Sequence, residues 1–244
     1  MSLFADAFAW LFSPDRLEGG DALPTAIAVH LFYTFVSLLI AAVIAIPVGY
    51  LIGHTGKGRE LAVGISGAAR ALPSFGLILL LVLVIGVTQK EGAAFAAFVL
   101  LGIPSVLAGA YSGLEAIDRR VIDAARAVGM TEWQILWRVE VPLGLPLLIG
   151  GLRSAALQIV ATVTLAAYIG LGGIGGYIIA GLALRRFDQM LGAALVIVAL
   201  ALVLDGLFAL AERLVVPRGV SAGRTSDVRT RSPRARAVAE SSAK

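Results

Sequence analysis

Residues 26–52 run without a single Asp, Glu, Lys or Arg. A helix rises about 1.5 Å per residue, so a stretch of this length crosses the roughly 30 Å hydrocarbon core of a bilayer. Four further apolar segments have similar reach. They are residues 61–87, interrupted by Arg70 and Pro73; 92–113; 145–169; and 190–210, with Asp205 near its end. Within lipid a backbone N–H or C=O finds no water, and a helix satisfies both internally. The pattern predicts an all-α, polytopic membrane protein with about five transmembrane helices. Composition agrees, since 59% of the 244 residues are hydrophobic and only 15% are charged, against about 25% charged in a soluble domain. The absence of cysteine excludes disulfides, thiol catalysis and cysteine metal sites.

The segments around the spans set an orientation. Residues 1–25 carry Asp6, Asp15, Glu18 and Asp21 against Arg16 alone, which is not the basic start of a secretory signal. Residues 3–12, apolar and aromatic, predict a helix lying along the membrane surface. Residues 170–189 predict a glycine-rich loop and a short helix rather than a span. With the N-terminus outside, five spans place Lys57, Arg59, Arg119, Arg120, Arg126 and Arg138 inside, and Arg16, Lys90, Arg185 and Arg186 outside. That is the sense of the positive-inside rule. The tail, residues 214–244, is rich in Ser, Arg and Ala with no apolar periodicity from Arg218 onward. It reads as a disordered cytoplasmic segment attracted to anionic lipid, not as a nucleic-acid binder.

The segment 115–142 is too polar to span and too regular to be a plain connector. Asp118 can cap a helix on which Ile117, Val121, Ile122, Ala125 and Val128 share one face and Arg119, Arg120, Asp123 and Arg126 the other. Gly129 breaks it, and Thr131 to Gln134 has the spacing of a capping box opening a second helix. Pro142 and Pro146 are expected to end that helix and turn the chain into the fourth span. Amphipathicity alone leaves two readings open: an interfacial loop in which Asp123 pairs with Arg119 or Arg126, or a surface on which a partner docks.

Asp123-Ala124-Ala125, Gly129 and the Val139-Glu-Val-Pro142 ending resemble the signature loop of permease subunits of binding-protein-dependent ABC importers. Asp123 stands where Glu is usual. Three further stretches resemble the osmoprotectant branch, which imports glycine betaine, carnitine, choline and related quaternary amines. They are Arg70-Ala-Leu-Pro73-Ser, Gly150-Gly-Leu-Arg153-Ser-Ala, and the run from Thr162 through Tyr168 to Gly172 and Gly173. The resemblance implies an ABC importer type I permease fold over residues 26–213, in a bacterial inner membrane. It implies that the loop 115–142 couples to a cytoplasmic ABC ATPase dimer. Asp123 would meet a basic group of that ATPase, Ala124 and Ala125 would allow close approach, Gly129 would supply the turn and Pro142 would close the motif. A second permease copy or a paralogue and an extracytoplasmic solute-binding protein complete the implied machine. ATP and Mg²⁺ would be used by the ATPase, with no cofactor bound by this chain.

The residues 170–175 match G-x-G-x-x-G but follow an apolar helix rather than a strand, so they read as a turn and part of an external gate. The stretch around Lys57 lacks phosphate-loop spacing. His30 and His54 lie about a span apart, share no metal site, and read as membrane-boundary residues. Arg70, Arg153 and Asp205 are charges within spans, which makes them suspects for a pathway unless they pair or snorkel. Arg70, Pro73, Arg153, Tyr168, Gly172 and Gly173 are therefore candidate pathway or gate residues. Two alternatives stand beside the osmolyte importer: an ABC permease for another small solute such as an amino acid, and an ion-coupled secondary transporter.

Overall fold

The computed structural model describes residues 2–18 and 22–215, the side chains of 69 and 70 excepted. The expectation of disorder in the tail lies outside the described residues. No strand occurs among those described. The helix α1 (Leu3–Leu11) is capped by Ser2, and α2 (Leu23–Thr55) stops at Gly56, whose φ of 69° is a glycine conformation. There follow α3 (Arg59–Ala71), α4 (Ser74–Ile85), α5 (Lys90–Glu115), α6 (Arg119–Ala127) and α7 (Glu132–Ile135). The chain closes with α8 (Val141–Ala166), α9 (Ile174–Leu184) and α10 (Phe187–Val215).

Four of these runs are long and apolar enough to cross a membrane: Leu23–Thr55, Val87–Glu115, Glu132–Ile169 and Phe187–Val215. The expected second span, 61–87, is not one helix. Proline disfavours helical geometry in the residue before it, and Leu72 and Pro73 divide the segment into α3 and α4, with Pro73 as the N-cap of α4. Each half covers about 20 Å of rise, so neither crosses alone.

A second expectation also changes. Pro142 and Pro146 do not end the helix that starts after Thr131; Glu132–Ile169 is one run of 38 residues. A proline ring clashes with the carbonyl four residues back and offers no N–H. The run answers by widening into a π turn at Leu136–Glu140, where the Val141 N–H donates to the Leu136 carbonyl. Pro142 then sits in the first turn of α8, where its missing donor is tolerated, and Pro146 is carried inside the helix.

The core centres on α5, packed along α2 on one side and α8 on the other. Lipid gives apolar side chains no reason to leave it, so helices associate through close backbone packing at small residues. On α5, Gly109 and Gly113 face α8: a methyl group at Gly109 would stand 2.6 Å from the Leu147 oxygen, and one at Gly113 2.6 Å from the Gly144 oxygen. On α2, Gly49 and Gly53 press on Ala110 and Leu114 of α5 in the same way. At the other end α1 docks on α10. Trp10 is buried against Gly192 and meets Tyr177 edge-on at 5.3 Å, while Phe4, Phe8 and Phe12 stay exposed.

Candidate functional site

The signature segment lies at the end of the molecule where α2 finishes, α3 begins and α5 finishes. Arg59 pairs with Glu115 there at 3.2 Å. The helix α6 has two well-made ends. Asp118 accepts the Arg120 N–H at 2.9 Å, and beyond Ala127 the Gly129 and Met130 N–H groups bond back to the Arg126 and Ala125 carbonyls. This is a Schellman stop, and it needs the φ of +84° that Gly129 adopts. The reciprocal Thr131–Gln134 capping box opens α7.

Ile122, Ala125 and Ile135 are buried together, with Ile117, Met130 and Val139 around them, and clamp α6 onto α7. This splits the paired alanines. Ala125 belongs to that small core, and only Ala124 stays on the open face with Asp123. The Asp123 side chain is 72% exposed. Val121, Val128 and Trp133 of the same segment are exposed as well. Pro142, half-buried, stands beyond the π turn and not on this face.

A line of ionic groups runs inward from Asp123. Arg126 touches it at 3.5 Å but gives its better contacts to Glu132, at 2.8 and 3.1 Å. That hydrogen-bonded carboxylate pushes the Arg126 pKa up from its ordinary value. Glu132 also lies 3.6 Å from His54 Nε2, and His54 Nδ1 meets the buried Glu140 at 2.5 Å. His54 is thus more than a boundary residue. Its signal in the sequence was Glu140, a carboxylate placed among apolar residues, which needs a partner.

The other candidates lie elsewhere. Arg153 on α8 makes a two-pronged pair with Asp205 on α10, both contacts at 2.5 Å. Arg70 lies in the last turn of α3. Pro73 starts α4, and two residues on Phe75 packs against Tyr168 with ring centres 5.2 Å apart. Tyr168 is 54% exposed. Gly172 and Gly173, both at positive φ, line a cavity of about 450 Å³ with Arg16, Ala26, Tyr177 and Gln189. The Arg16 guanidinium lies over Trp10 and Tyr177, at 5.5 and 5.9 Å from the ring centres. The loop is held by Lys90, which donates to the Gly170 carbonyl at 3.1 Å. Tyr33, Phe95 and Phe98 cluster between α2 and α5, but Tyr33 and Phe98 are buried, so these rings are core rather than an open cage.

Comparison with known proteins agrees with this architecture. The family model described as "Binding-protein-dependent transport system inner membrane component" matches residues 45–218. The chain is 29% identical to the glycine betaine/carnitine/choline transport system permease protein OpuCB of Bacillus subtilis, over 84% of this chain and 93% of that protein. It is 30% identical to the carnitine transport permease protein OpuCB of Listeria monocytogenes, over 85% and 94%. Among solved structures, a chain of the inward-facing MetNI methionine ABC transporter superposes with a TM-score of 0.69 at 22% identity, over 80% of this chain and 96% of that one. At that identity the likeness speaks to the fold.

Proposed function

The chain belongs to the family of inner membrane components of binding-protein-dependent transport systems, and from that premise we propose that it forms the solute path of an ATP-driven importer of compatible solutes. An ABC importer permease is a multi-pass inner-membrane transport subunit, and hydrolysis belongs to separate ATPase subunits. The proposed cargo is glycine betaine, carnitine, choline or a related quaternary amine. Its support is the similarity to osmoprotectant permeases over most of both chains.

The observation that carries the coupling role is the exposed Asp123–Ala124 face on an α6 whose two ends are independently fixed. A short helix capped at both ends and carrying an exposed carboxylate can be gripped and moved as a unit. An ABC ATPase dimer would hold it through a basic group on Asp123, and Ala124 leaves room for that approach. Pairing with a second copy or a paralogue would enclose the path. Arg70, Pro73, Tyr168, Gly172 and Gly173 are proposed for that path and its outer gate, and an extracytoplasmic binding protein would deliver the solute.

Reconstitution in liposomes with the ATPase and the binding protein tests this reading. Uptake of labelled betaine, carnitine or choline that requires ATP and survives an ionophore is the expected result. Uptake that survives ATP depletion and collapses with an ionophore overturns it in favour of an ion-coupled carrier. A preference for amino acids over quaternary amines overturns the proposed cargo.

A further inference from the structure

The helix α6 reaches α8 through the chain itself, because the run from Glu132 to Ile169 is continuous. It has no covalent route to α2, the span that packs on α5 and also directly on α8. At this end of the molecule the ionic line joins them. Arg126, near the end of α6, grips Glu132 with two hydrogen bonds; Glu132 lies 3.6 Å from one ring nitrogen of His54; and the other ring nitrogen meets Glu140 in the π turn. His54 is in the last turn of α2.

We propose that His54 is a positioning residue for coupling, which passes the displacement of α6 to the end of α2, so that α2 and α8 move together. Three observations converge on it. Both ring nitrogens lie close to carboxylates, Nδ1 at 2.5 Å from Glu140 and Nε2 at 3.6 Å from Glu132. Glu140 is 8% exposed and His54 is its hydrogen-bond partner, so loss of the ring strands a buried carboxylate. The π turn that holds Glu140 is the one irregular turn in the Glu132–Ile169 run between α6 and the buried part of α8, and extra turns of this kind mark places where a helix yields. A tie at that point transmits a push that the widened turn would otherwise absorb. Beside it, Tyr50 of α2 meets Trp137 edge-on at 6.4 Å, an apolar contact that keeps the two helices in register without directing them.

The inference rests on the coupling role proposed above, and its test separates the two. Wild type, His54→Ala, Glu140→Ala, the double variant and His54→Arg are reconstituted with the ATPase and binding protein, and three quantities are read: assembly with the ATPase, ATP hydrolysed and solute imported. His54→Ala is expected to assemble and hydrolyse ATP while solute imported per ATP falls about fivefold or more, the lower range of measured coupling between sites. Glu140→Ala should fall similarly, the double variant no further than either single, and His54→Arg should retain most of the ratio. An unchanged ratio in His54→Ala overturns the proposal. So does a singly additive double variant, or a His54→Ala that fails to insert or to bind the ATPase, since His54 would then serve folding or docking only. Wild type that never binds the ATPase overturns instead the coupling role itself.

Discussion

Two carboxylates show how position decides what a charge does here. Asp123 is open to solvent and loosely held, because Arg126 spends its two short bonds on Glu132. A surface pair of this kind is worth at most about 1 kcal/mol, so Asp123 is available to a partner at little cost. Asp123→Lys is expected to insert normally and to abolish ATP-driven uptake, because it sets like charges against each other at the proposed contact. Normal uptake by that variant would remove the docking role. Asp205 is the opposite case, locked into a two-pronged pair with Arg153 between α8 and α10. Removing one member leaves the other uncompensated, so Arg153→Ala and Asp205→Ala should each lower the melting temperature in detergent more than the double variant does. Equal or greater loss in the double variant would show that the pair does not brace the helices. The sequence marks Arg153 and Asp205 as charges within spans, but no periodicity says that they meet, because they are far apart along the chain and only the packing of α10 on α8 brings them together.

At the scale of elements, small residues decide the packing and prolines decide the breaks. Gly109 and Gly150 make a clean comparison. The first has a carbonyl oxygen 2.6 Å from where a methyl group would go, and the second has nothing within 4 Å. Gly109→Ala should cost about 1–3 kcal/mol in thermal stability, as overpacking does. Gly150→Ala should be neutral or stabilising by up to about 1 kcal/mol, as alanine is in a helix. Equal melting temperatures for the two would mean that the α5–α8 contact is less intimate than the glycines imply. Gly109 and Gly113 stand four residues apart on α5, a spacing that lets helices approach closely, and their partners Gly144 and Gly151 are set by the crossing of two helices. The prolines divide in the same way. Pro73 breaks its helix and Pro142 does not, though both follow an apolar residue. A π turn precedes Pro142, while Pro47, Pro104 and Pro146 are carried inside α2, α5 and α8.

For the whole molecule, the proposed orientation has the N-terminus outside and α6 in the cytoplasm. Because the chain contains no cysteine, introduced ones report cleanly. Val128→Cys and Phe12→Cys, both at residues 79% exposed, should react with a membrane-impermeant thiol reagent from opposite sides, Phe12→Cys from outside. Labelling of Val128→Cys in intact cells would reverse the topology. By itself the sequence determined the all-α membrane architecture, the ends of α2, α5 and α10 to within a few residues, and the helix–glycine–helix form of the loop. These follow from local properties: runs of apolar residues as long as a bilayer is thick, and caps whose donors and acceptors lie three or four residues apart. Only the tertiary structure decided that Val121 and Val128 stay exposed, that Glu132–Ile169 passes through its prolines unbroken, and that His54 stands between two glutamates. Those outcomes depend on which helix lies beside which. In a chain so uniformly apolar, that choice rests on close contacts between small residues and on a few ionic pairs whose members are distant in sequence.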